Sequence, residues 1–413
     1  MNVKPLMPYF PEEIIKEIHS RLPPKSLLKF RCVSKLWSVL YNNPKLIEMM
    51  QINFNIMIVY DDNMYHTDSE SLSSLLDGME RIHCPDPEFE YGNNRSSSLL
   101  DGMEQIHCPD PDFEYGYSIT GFVGCCNGLF CLLIHNRGGI DYCLWNPSTG
   151  DCKRIPSPPD QFDYSLHGYS AIKGYGFGYD SKSDDYKFVC ITTDFNCNLS
   201  AVQIYSLKSD SWKQVKRNLN IPWLLPLRTD LQYAVFCNGA LHWQTSSSSK
   251  ELIALGMTDE LIGGISPPEN SNFDEDPDDT TRIGMLDGCL SMLYSSTTLG
   301  IEVWLMKDYG EKESWTKIYS IPKLTSLDGR VSRHLCLRRI KCLKSGEMLL
   351  EVSYQWFAPY RKALVLYDPK NETSETLMED EDEYYSNLLS FHSYVKSSVS
   401  VWLGTMLANC HGT

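Results

Sequence analysis

A strand-rich unit recurs five times between residues 124 and 378, and this recurrence constrains the fold more than any other feature. Three units place a hairpin-type pair, Asn127-Gly128, Asn238-Gly239 or Asp287-Gly288, ahead of an apolar strand. Units of about 40 to 50 residues with four short strands are typical of propeller blades. We place the five units at 124–156, 173–216, 234–265, 283–320 and 335–378.

Four of these units also contain a strand, a polar turn and a second strand, at 144–155, 204–215, 303–318 and 365–377. Strand-type segments left over at 53–67 and 391–402 would complete one more blade jointly, which removes an exposed sheet edge. We therefore expect a large all-β domain that is a closed β-propeller of about six blades. A count of seven blades is the alternative.

Residues 10–48 differ from the rest, because their apolar residues recur at helical spacing. Pro11 stands where a first helix would begin, and Pro23-Pro24 would end it. About 40 residues rarely form a stable core alone, yet this segment carries a dozen large apolar side chains. We predict a small α-helical domain at 8–50 that docks into a partner, or else packs on this chain. The β domain would span 51–402, and a tail would span 403–413.

The helical segment resembles the F-box motif over nearly its full length, from Pro11-Glu12-Glu13-Ile14-Ile15 to Ser34-Lys35-Leu36-Trp37. In that family the motif binds the Skp-type adaptor of cullin-RING ubiquitin ligases, and through it the cullin and RING subunits. Phe10 replaces the leucine that usually precedes the proline, a conservative change. The positions matching adaptor-facing residues are Pro11, Ile14, Ile15, Leu22, Pro23, Leu27, Leu28, Val33 and Trp37.

The strand-rich region resembles the F-box-associated domain of plant F-box proteins, on segments such as "SITGFVGCCNGLFCLL", "GYGFGYDSKSDDYKFV" and "VFCNGALHW". The sequence is similar both to F-box/kelch-type immune regulators and to the pollen S-locus F-box proteins, which target basic ribonucleases. The resemblance implies a substrate receptor that acts by proximity and orientation, with no bond chemistry of its own. A stand-alone enzyme and a scaffold without ubiquitination are the alternatives.

The formal net charge of −16 argues against nucleic-acid binding, because such affinity comes mainly from Lys and Arg neutralising phosphates. A basic target protein fits this charge better. Two acidic segments, 273–279 and 379–383, could steer such a target, although charge runs are commonly only solvated loops. The candidate target-binding residues are Asp274, Glu275, Asp276, Glu381, Asp382 and Glu383.

A peptide at 73–92 is repeated at 97–116 with 18 of 20 positions identical. The pairs His83-Cys84 and His107-Cys108 supply four nominal zinc ligands, but adjacent ligands do not match the spacing of structural zinc sites. We interpret the repeat as a tandem duplication inside a loop, where added length costs little. One copy would lead into the "GCCNG" strand, and the other would be an extra excursion that changes the target surface or has no effect.

No motif for a hydrolase, metalloprotease or phosphate loop occurs, so no catalytic residue, metal or cofactor is expected. The glycines of Gly174–Gly178 suit close strand packing, and His242 suits a strand near the core. Cys125, Cys126 and Cys131 have apolar neighbours, which favours inert thiols. The scattered cysteines and the lack of a signal peptide or membrane span predict a protein of the cytoplasm or nucleus.

Overall fold

A computed structural model divides the chain into two units, residues 1–52 and 53–413, and all described residues lie in the second. The described residues are 54–60, 63–68, 72, 100, 103–106, 118–136, 139–159, 170–194, 199–219, 232–244, 251–269, 279–322, 324–327, 333–355, 360–379, 389–397 and 399–401. The helices predicted within residues 8–50 and the tail at 403–413 lie outside them. Among the described residues, none forms a helix long and apolar enough to cross a membrane.

The second unit is a β-propeller of six antiparallel sheets, which confirms the predicted closed fold. Blade 1 contains strands β4 (Ser118–Cys126), β5 (Leu129–Asn136), β6 (Gly139–Trp145) and β7 (Cys152–Ile155). Blade 2 contains β8 (Ser170–Asp180), β9 (Asp185–Asp194), β10 (Leu199–Ser206) and β11 (Ser211–Leu219), and β12 (Gln232–Tyr233) joins it in parallel beside β8. Blade 3 contains β13 (Val235–Cys237), β14 (Ala240–Gln244), β15 (Leu252–Gly256) and β16 (Ile262–Ile265).

The remaining blades complete the ring. Blade 4 contains β17 (Thr280–Leu286), β18 (Cys289–Ser296), β19 (Gly300–Met306) and β20 (Trp315–Ile321). Blade 5 contains β21 (Arg333–Cys342), β22 (Met348–Gln355), β23 (Tyr360–Asp368) and β24 (Thr373–Glu379). Short 3-10 helices lie at Lys312–Ser314 and Thr325–Leu327. The five predicted units therefore coincide with blades 1 to 5.

Blade 6 is assembled from both ends of the β domain, as the leftover strands predicted. Its strands are β25 (Ser390–Tyr394), β1 (Asn55–Tyr60), β2 (Asn63–Asp68) and β3 (Glu104–Ile106), in that order. β25 pairs antiparallel with β1, so that Asn55 lies opposite Tyr394. The predicted strand at 391–402 is shorter than expected, because it ends at Tyr394.

The hairpin-type pairs form tight turns between the first and second strands of their blades. Asn127 and Gly128 have φ angles of 50° and 78°, and the pairs at Asn238 and Asp287 have nearly the same values. Two successive positive φ angles define a type I′ turn, whose twist matches that of the strands it joins. Asn-Gly and Asp-Gly adopt this conformation readily, which explains why the turns could be read from the sequence.

Each neighbouring pair of blades shares a core of side chains from facing sheets. Blades 2 and 3, 3 and 4, 4 and 5, 5 and 6, and 6 and 1 share clusters that mix aliphatic, aromatic and sulfur-containing side chains. The interface of blades 1 and 2 is aromatic, since the Tyr142 ring lies 5.1 Å from that of Phe188 and 5.7 Å from that of Tyr175. The described side chains thus link each blade to the next around the whole ring.

The glycines of β8 allow that strand to approach blade 3 closely. A Cβ atom on Gly176 would lie 2.7 Å from Leu241 Cδ1, and one on Gly178 would lie 2.5 Å from Phe236 Cδ2. Real Cβ atoms do not come this close to a neighbour, so a larger residue would push the blades apart. The interpretation of this segment as close strand packing is therefore confirmed.

Because strands alternate in direction, the connections of each blade separate onto two faces of the ring. The turn face is the side of the ring that carries the turns between the first and second strands and between the third and fourth strands of a blade. We call the loop face the side carrying the connections between second and third strands and between successive blades. By this topology β3 joins β2 on the turn face and β4 on the loop face.

After β25 the chain crosses the turn face of blade 1. Asn146 Nδ2 donates to Ser397 O at 2.9 Å and to Val399 O at 2.8 Å. A Cβ atom on Gly128 would lie 2.6 Å from Val395 O, so that glycine is required by close approach as well as by its positive φ. These contacts fix residues 395–401 without adding them to a sheet.

Candidate functional site

The five connections that lead from one blade to the next between β7 and β25 are long and lie on the loop face. The chain passes from blade to blade there through 156–169, 220–231, 266–279, 322–332 and 380–389. Most turn-face connections of blades 1 to 5 have two to six residues, for example Asn127-Gly128. Since long loops tolerate variation that a core does not, the loop face is the candidate surface for binding a target.

Both acidic segments belong to loop-face connections. Residues 273–279 lie between β16 and β17, and 379–383 begin at the end of β24 and lead towards β25. Glu379 is described, and its carboxylate accepts a hydrogen bond from Tyr354 Oη. The candidates Asp274, Glu275, Asp276, Glu381, Asp382 and Glu383 lie outside the described residues, so their positions stay predictions.

The turn face carries an open polar cavity of about 530 Å³ between blades 2 and 3. Its walls come from the turns after β8, β10 and β15. Eleven side chains line it, all charged or hydroxyl-bearing: Asp180, Lys182, Ser183, Asp185, Lys187, Ser206, Ser209, Ser211, Lys213, Thr258 and Glu260.

A buried ammonium group organises this cavity. Lys187 Nζ donates to Asp180 Oδ2 at 2.9 Å, to Glu260 Oε1 at 3.1 Å and to Met257 O at 2.6 Å. All three donor hydrogens are used, so the cluster joins blades 2 and 3 and leaves Lys187 no free donor for a ligand. Sequence reasoning missed the cluster because its members are dispersed along the chain and form no motif.

Burial and hydrogen bonding oppose each other at Asp180. Burial alone would raise the pKa of its carboxyl group, but hydrogen bonds from Ser183, Thr258 and Lys187 hold that pKa below its usual value. Burial likewise would lower the pKa of Lys187, and the bonds and charges of Asp180 and Glu260 raise it. Both groups are therefore ionised at neutral pH, and the pair belongs to the framework of the propeller.

Replacing Asp180 by Asn should destabilise the β domain by about 2 kcal/mol at pH 7, because the buried Lys187 loses its buried counter-charge and keeps only the partly exposed Glu260. The folded-state pKa of Asp180 is depressed, so its contribution is present above about pH 4, the pKa of an unfolded Asp, and is lost as pH falls further. The difference between wild type and D180N in urea unfolding should therefore shrink below pH 4. The exposed Asp308→Asn is the control, expected within about 0.5 kcal/mol of wild type.

His242 lies in β14 with its side chain fully buried, where the sequence placed it near the core. Nδ1 lies 3.0 Å from Val235 O, and Nε2 lies 2.7 Å from Tyr309 Oη. Burial lowers the pKa of His242 to about 4, so the ring is neutral at pH 7. Both ring nitrogens are engaged, which leaves neither for contact with a substrate.

The thiols of the "GCCNGLFC" segment are also embedded in the domain. Burial raises the pKa of Cys125 to about 12 and that of Cys131 well above its usual value. The reactive form of cysteine is the thiolate, which these groups do not populate at neutral pH. The prediction of inert thiols agrees with this environment.

Several predicted sites lie outside the described residues. These are the adaptor-binding set from Pro11 to Trp37 and the pairs His83-Cys84 and His107-Cys108. Among the described residues, no three His, Cys, Asp or Glu side chains lie close enough together to hold a metal ion. The adaptor-binding set therefore stays a prediction from the sequence.

Comparison with known families gives two matches that follow one another along the chain. The family described as the F-box domain matches residues 8–46, and the F-box associated beta propeller domain matches residues 90–401. The second match covers most of the chain and contains blades 1 to 5 completely. It begins near the end of the first copy of the duplicated peptide, so it includes the whole second copy.

Several relatives from Arabidopsis thaliana are similar to this chain over three quarters or more of its length. F-box protein CPR1 is 28% identical over 78% of this chain and 75% of its own length. The F-box/kelch-repeat protein At3g23880 is 27% identical over 76% of this chain and 80% of its own length. The F-box protein At3g07870 is 27% identical over 96% of this chain and 93% of its own length.

Proposed function

Because the chain belongs to the F-box proteins that carry an F-box-associated β-propeller, we propose that it is the substrate receptor of a Skp–cullin–F-box ubiquitin ligase. Proteins of this family generally serve as such receptors, and the F-box domain is the part that binds the Skp-type adaptor. The observation that supports the proposal most is the order of the two matches, an adaptor-binding domain followed by a binding propeller.

In this proposal the F-box domain contacts the adaptor through Pro11, Ile14, Ile15, Leu22, Pro23, Leu27, Leu28, Val33 and Trp37. Cullin and RING subunits then join through the adaptor. The propeller holds a target protein near the ubiquitin-charged enzyme, so the chain accelerates transfer by proximity and orientation. It needs no catalytic residue of its own, which agrees with the engaged state of His242 and the buried thiols.

We propose the loop face as the surface that binds the target. The chain enters the propeller at Phe54, immediately before β1, whose first residue lies at the turn-face end of blade 6. The five blade-to-blade connections between β7 and β25 lie at the opposite side of the ring. A target on the loop face would therefore not compete with the chain's entry point for surface.

The charge of the protein supports a basic target. Both acidic segments are in loop-face connections, and the formal net charge is −16. Complementary charge mainly increases the rate of association, and salt screens it. Basic ribonucleases recognised in pollen would be one such target, and regulators of immunity are the other class left open by the resemblance. Expression restricted to pollen would favour the first class, and expression in leaf would favour the second.

We further propose that the protein acts in the cytoplasm or nucleus. Cys125, Cys131, Cys190, Cys336 and Cys342 are thiols outside any disulfide, as expected where thiols are kept reduced.

The ligase role is tested by reconstitution. The full chain is assembled with adaptor, cullin and RING subunit, and a protein that the propeller captures is added with ubiquitin and its conjugating enzymes. We expect unmodified target to disappear and ubiquitin conjugates to replace it. Target that stays at its starting level, with the complex intact, would favour a scaffold without ubiquitination.

The charge proposal is tested with the same captured target. Neutralising Asp274, Glu275 and Asp276 to Asn, Gln and Asn should slow association about two- to tenfold at low salt, and the difference should vanish near 0.5 M salt. Stopped-flow or surface-based kinetics would measure it. Neutralising three acidic residues of the turn face, Asp151, Asp259 and Asp308, is the matched control. An equal effect of both triple variants would contradict a specific role for the loop face.

A further inference from the structure

The outer strand of blade 6 comes from the second copy of the duplicated peptide. In this strand, β3, Ile106 lies opposite Met64 and Glu104 lies opposite His66 on β2. His66 Nε2 is 2.8 Å from Glu104 Oε2. Just before β3, Leu100 and Met103 are buried in the core that blades 5 and 6 share. The second copy therefore supplies a strand and two core side chains.

The first copy carries the same residues 24 positions earlier. Leu76, Met79, Glu80 and Ile82 correspond to Leu100, Met103, Glu104 and Ile106. One residue of the strand differs, since Arg81 stands where the second copy has Gln105. Gln105 is exposed, and its Nε2 donates to Asn63 Oδ1 at 2.9 Å, a bond that an arginine N–H could also make. The first copy thus has every side chain that blade 6 takes from this peptide.

We propose that either copy can form the outer strand of blade 6, and that exchange between them carries a 24-residue excursion from one face of the propeller to the other. With the second copy paired, β2 and β3 are joined by residues 69–103 on the turn face, and β3 and β4 by residues 107–117 on the loop face. With the first copy paired, residues 69–79 would join β2 to the outer strand on the turn face, and residues 83–117 would join the outer strand to β4 on the loop face. The excursion then belongs to the loop face.

The two arrangements are closely balanced in free energy. The cost of closing a loop depends on the logarithm of its length, and the exchange merely swaps an 11-residue with a 35-residue connection. The summed closure cost is therefore unchanged. The leucine and methionine that a copy places in the core are identical in both copies, and one exposed substitution of this kind changes an equilibrium by about two-fold. Neither copy has an advantage large enough to exclude the other.

The exchange has a consequence for recognition that rests on the proposed function. If the loop face binds the target, the arrangement with the first copy paired adds 24 residues to that surface. A target that contacts the excursion would select this arrangement, and one that is hindered by it would select the other. The strand exchange itself depends only on blade 6 and holds whether or not the chain serves a ligase.

Three variants of the full chain test the exchange: Met103→Asp, Met79→Asp and the two together. A carboxylate cannot enter the shared core, so each single variant should force the other copy into the strand. We expect each single variant to change the apparent Tm of the β domain by less than about 1 °C, and the double variant to lower it by roughly 3 °C or more. M103D alone matching the double variant would overturn the proposal. A double variant as stable as wild type would also overturn it, since the strand position would then need neither copy.

Trypsin reports which copy is paired, because Arg81 is a cleavage site in the first copy and Gln105 replaces it in the second. Under native conditions, the rate of trypsin cleavage after Arg81, measured by mass spectrometry, should be about tenfold or more lower in M103D than in M79D. Arg95 lies between the copies in both arrangements and serves as the internal reference. Equal Arg81 cleavage in the two single variants would overturn the exchange even if both are stable.

Discussion

Replacing Leu27 by Asp together with Trp37 by Ala should reduce capture of a Skp-type adaptor by the full chain more than 100-fold. Leu27 and Trp37 are two of the positions predicted to face the adaptor, and both lie within the F-box match. Large apolar anchors commonly contribute 2 kcal/mol or more each to an interface, and a carboxylate at such a position adds a desolvation penalty. Affinity for purified adaptor, measured by calorimetry or quantitative pull-down, checks this prediction.

The control for this experiment is Lys29→Ala with Lys35→Ala, two changes in the same segment at positions outside the adaptor-facing set. These variants should bind adaptor within about threefold of wild type. The urea transition of the β domain should be unchanged in all of them. Adaptor retained at the wild-type level by the Leu27 and Trp37 variant would remove the basis for the ligase assignment.

Truncating Phe391 to Ala should lower the free energy of unfolding of the β domain by about 3–5 kcal/mol. Phe391 lies in the closing strand β25, its side chain is 2% exposed, and it packs in the core shared by blades 5 and 6. Its backbone N–H donates to Glu351 Oε2 at 3.2 Å. Loss of the ring would leave a cavity beside the one strand that joins the two ends of the domain. Urea unfolding followed by tryptophan fluorescence would measure the change.

Ser393→Ala is the matched control, because Ser393 is exposed on the same strand and pairs with Ile56 through the backbone. It should stay within about 0.5 kcal/mol of wild type. A loss of under 1 kcal/mol for Phe391→Ala would show that β25 contributes little to stability. The ring would then be held by its inter-blade cores without this closure.

The features that could be predicted from the sequence are those that depend on local residue patterns. Asn127-Gly128 and Asp287-Gly288 specify turns through their own conformational preferences. Because each turn joins the first two strands of a blade, such pairs allow blades to be counted from the sequence. The joint sixth blade followed from the same count, because strands near 55 and 391 had no other partner.

The features that were missed depend on contacts between distant residues. Lys187 of blade 2 donates a hydrogen bond to Glu260 of blade 3. Asn146 of blade 1 donates to the backbone oxygen of Ser397, which lies 251 residues later in the chain. Strand β3 was missed for another reason. Its three residues lie in the duplicated peptide, which was interpreted as a duplication inside a loop. The adaptor-binding residues were found by resemblance alone, since the described residues do not include them.

Closure by β25 has a consequence for synthesis of the protein. β1 starts at Asn55 and its pairing partner β25 starts at Ser390, so β1 is synthesised 335 residues before the strand that pairs with it. Until then the nascent chain carries an unpaired strand edge, which is a hazard for aggregation and a binding site for chaperones. A premature stop codon between residues 50 and 390 would therefore leave a product that retains the F-box segment but cannot close its propeller. Such a product could still compete for adaptor, so truncating alleles should behave as dominant inhibitors where they escape degradation.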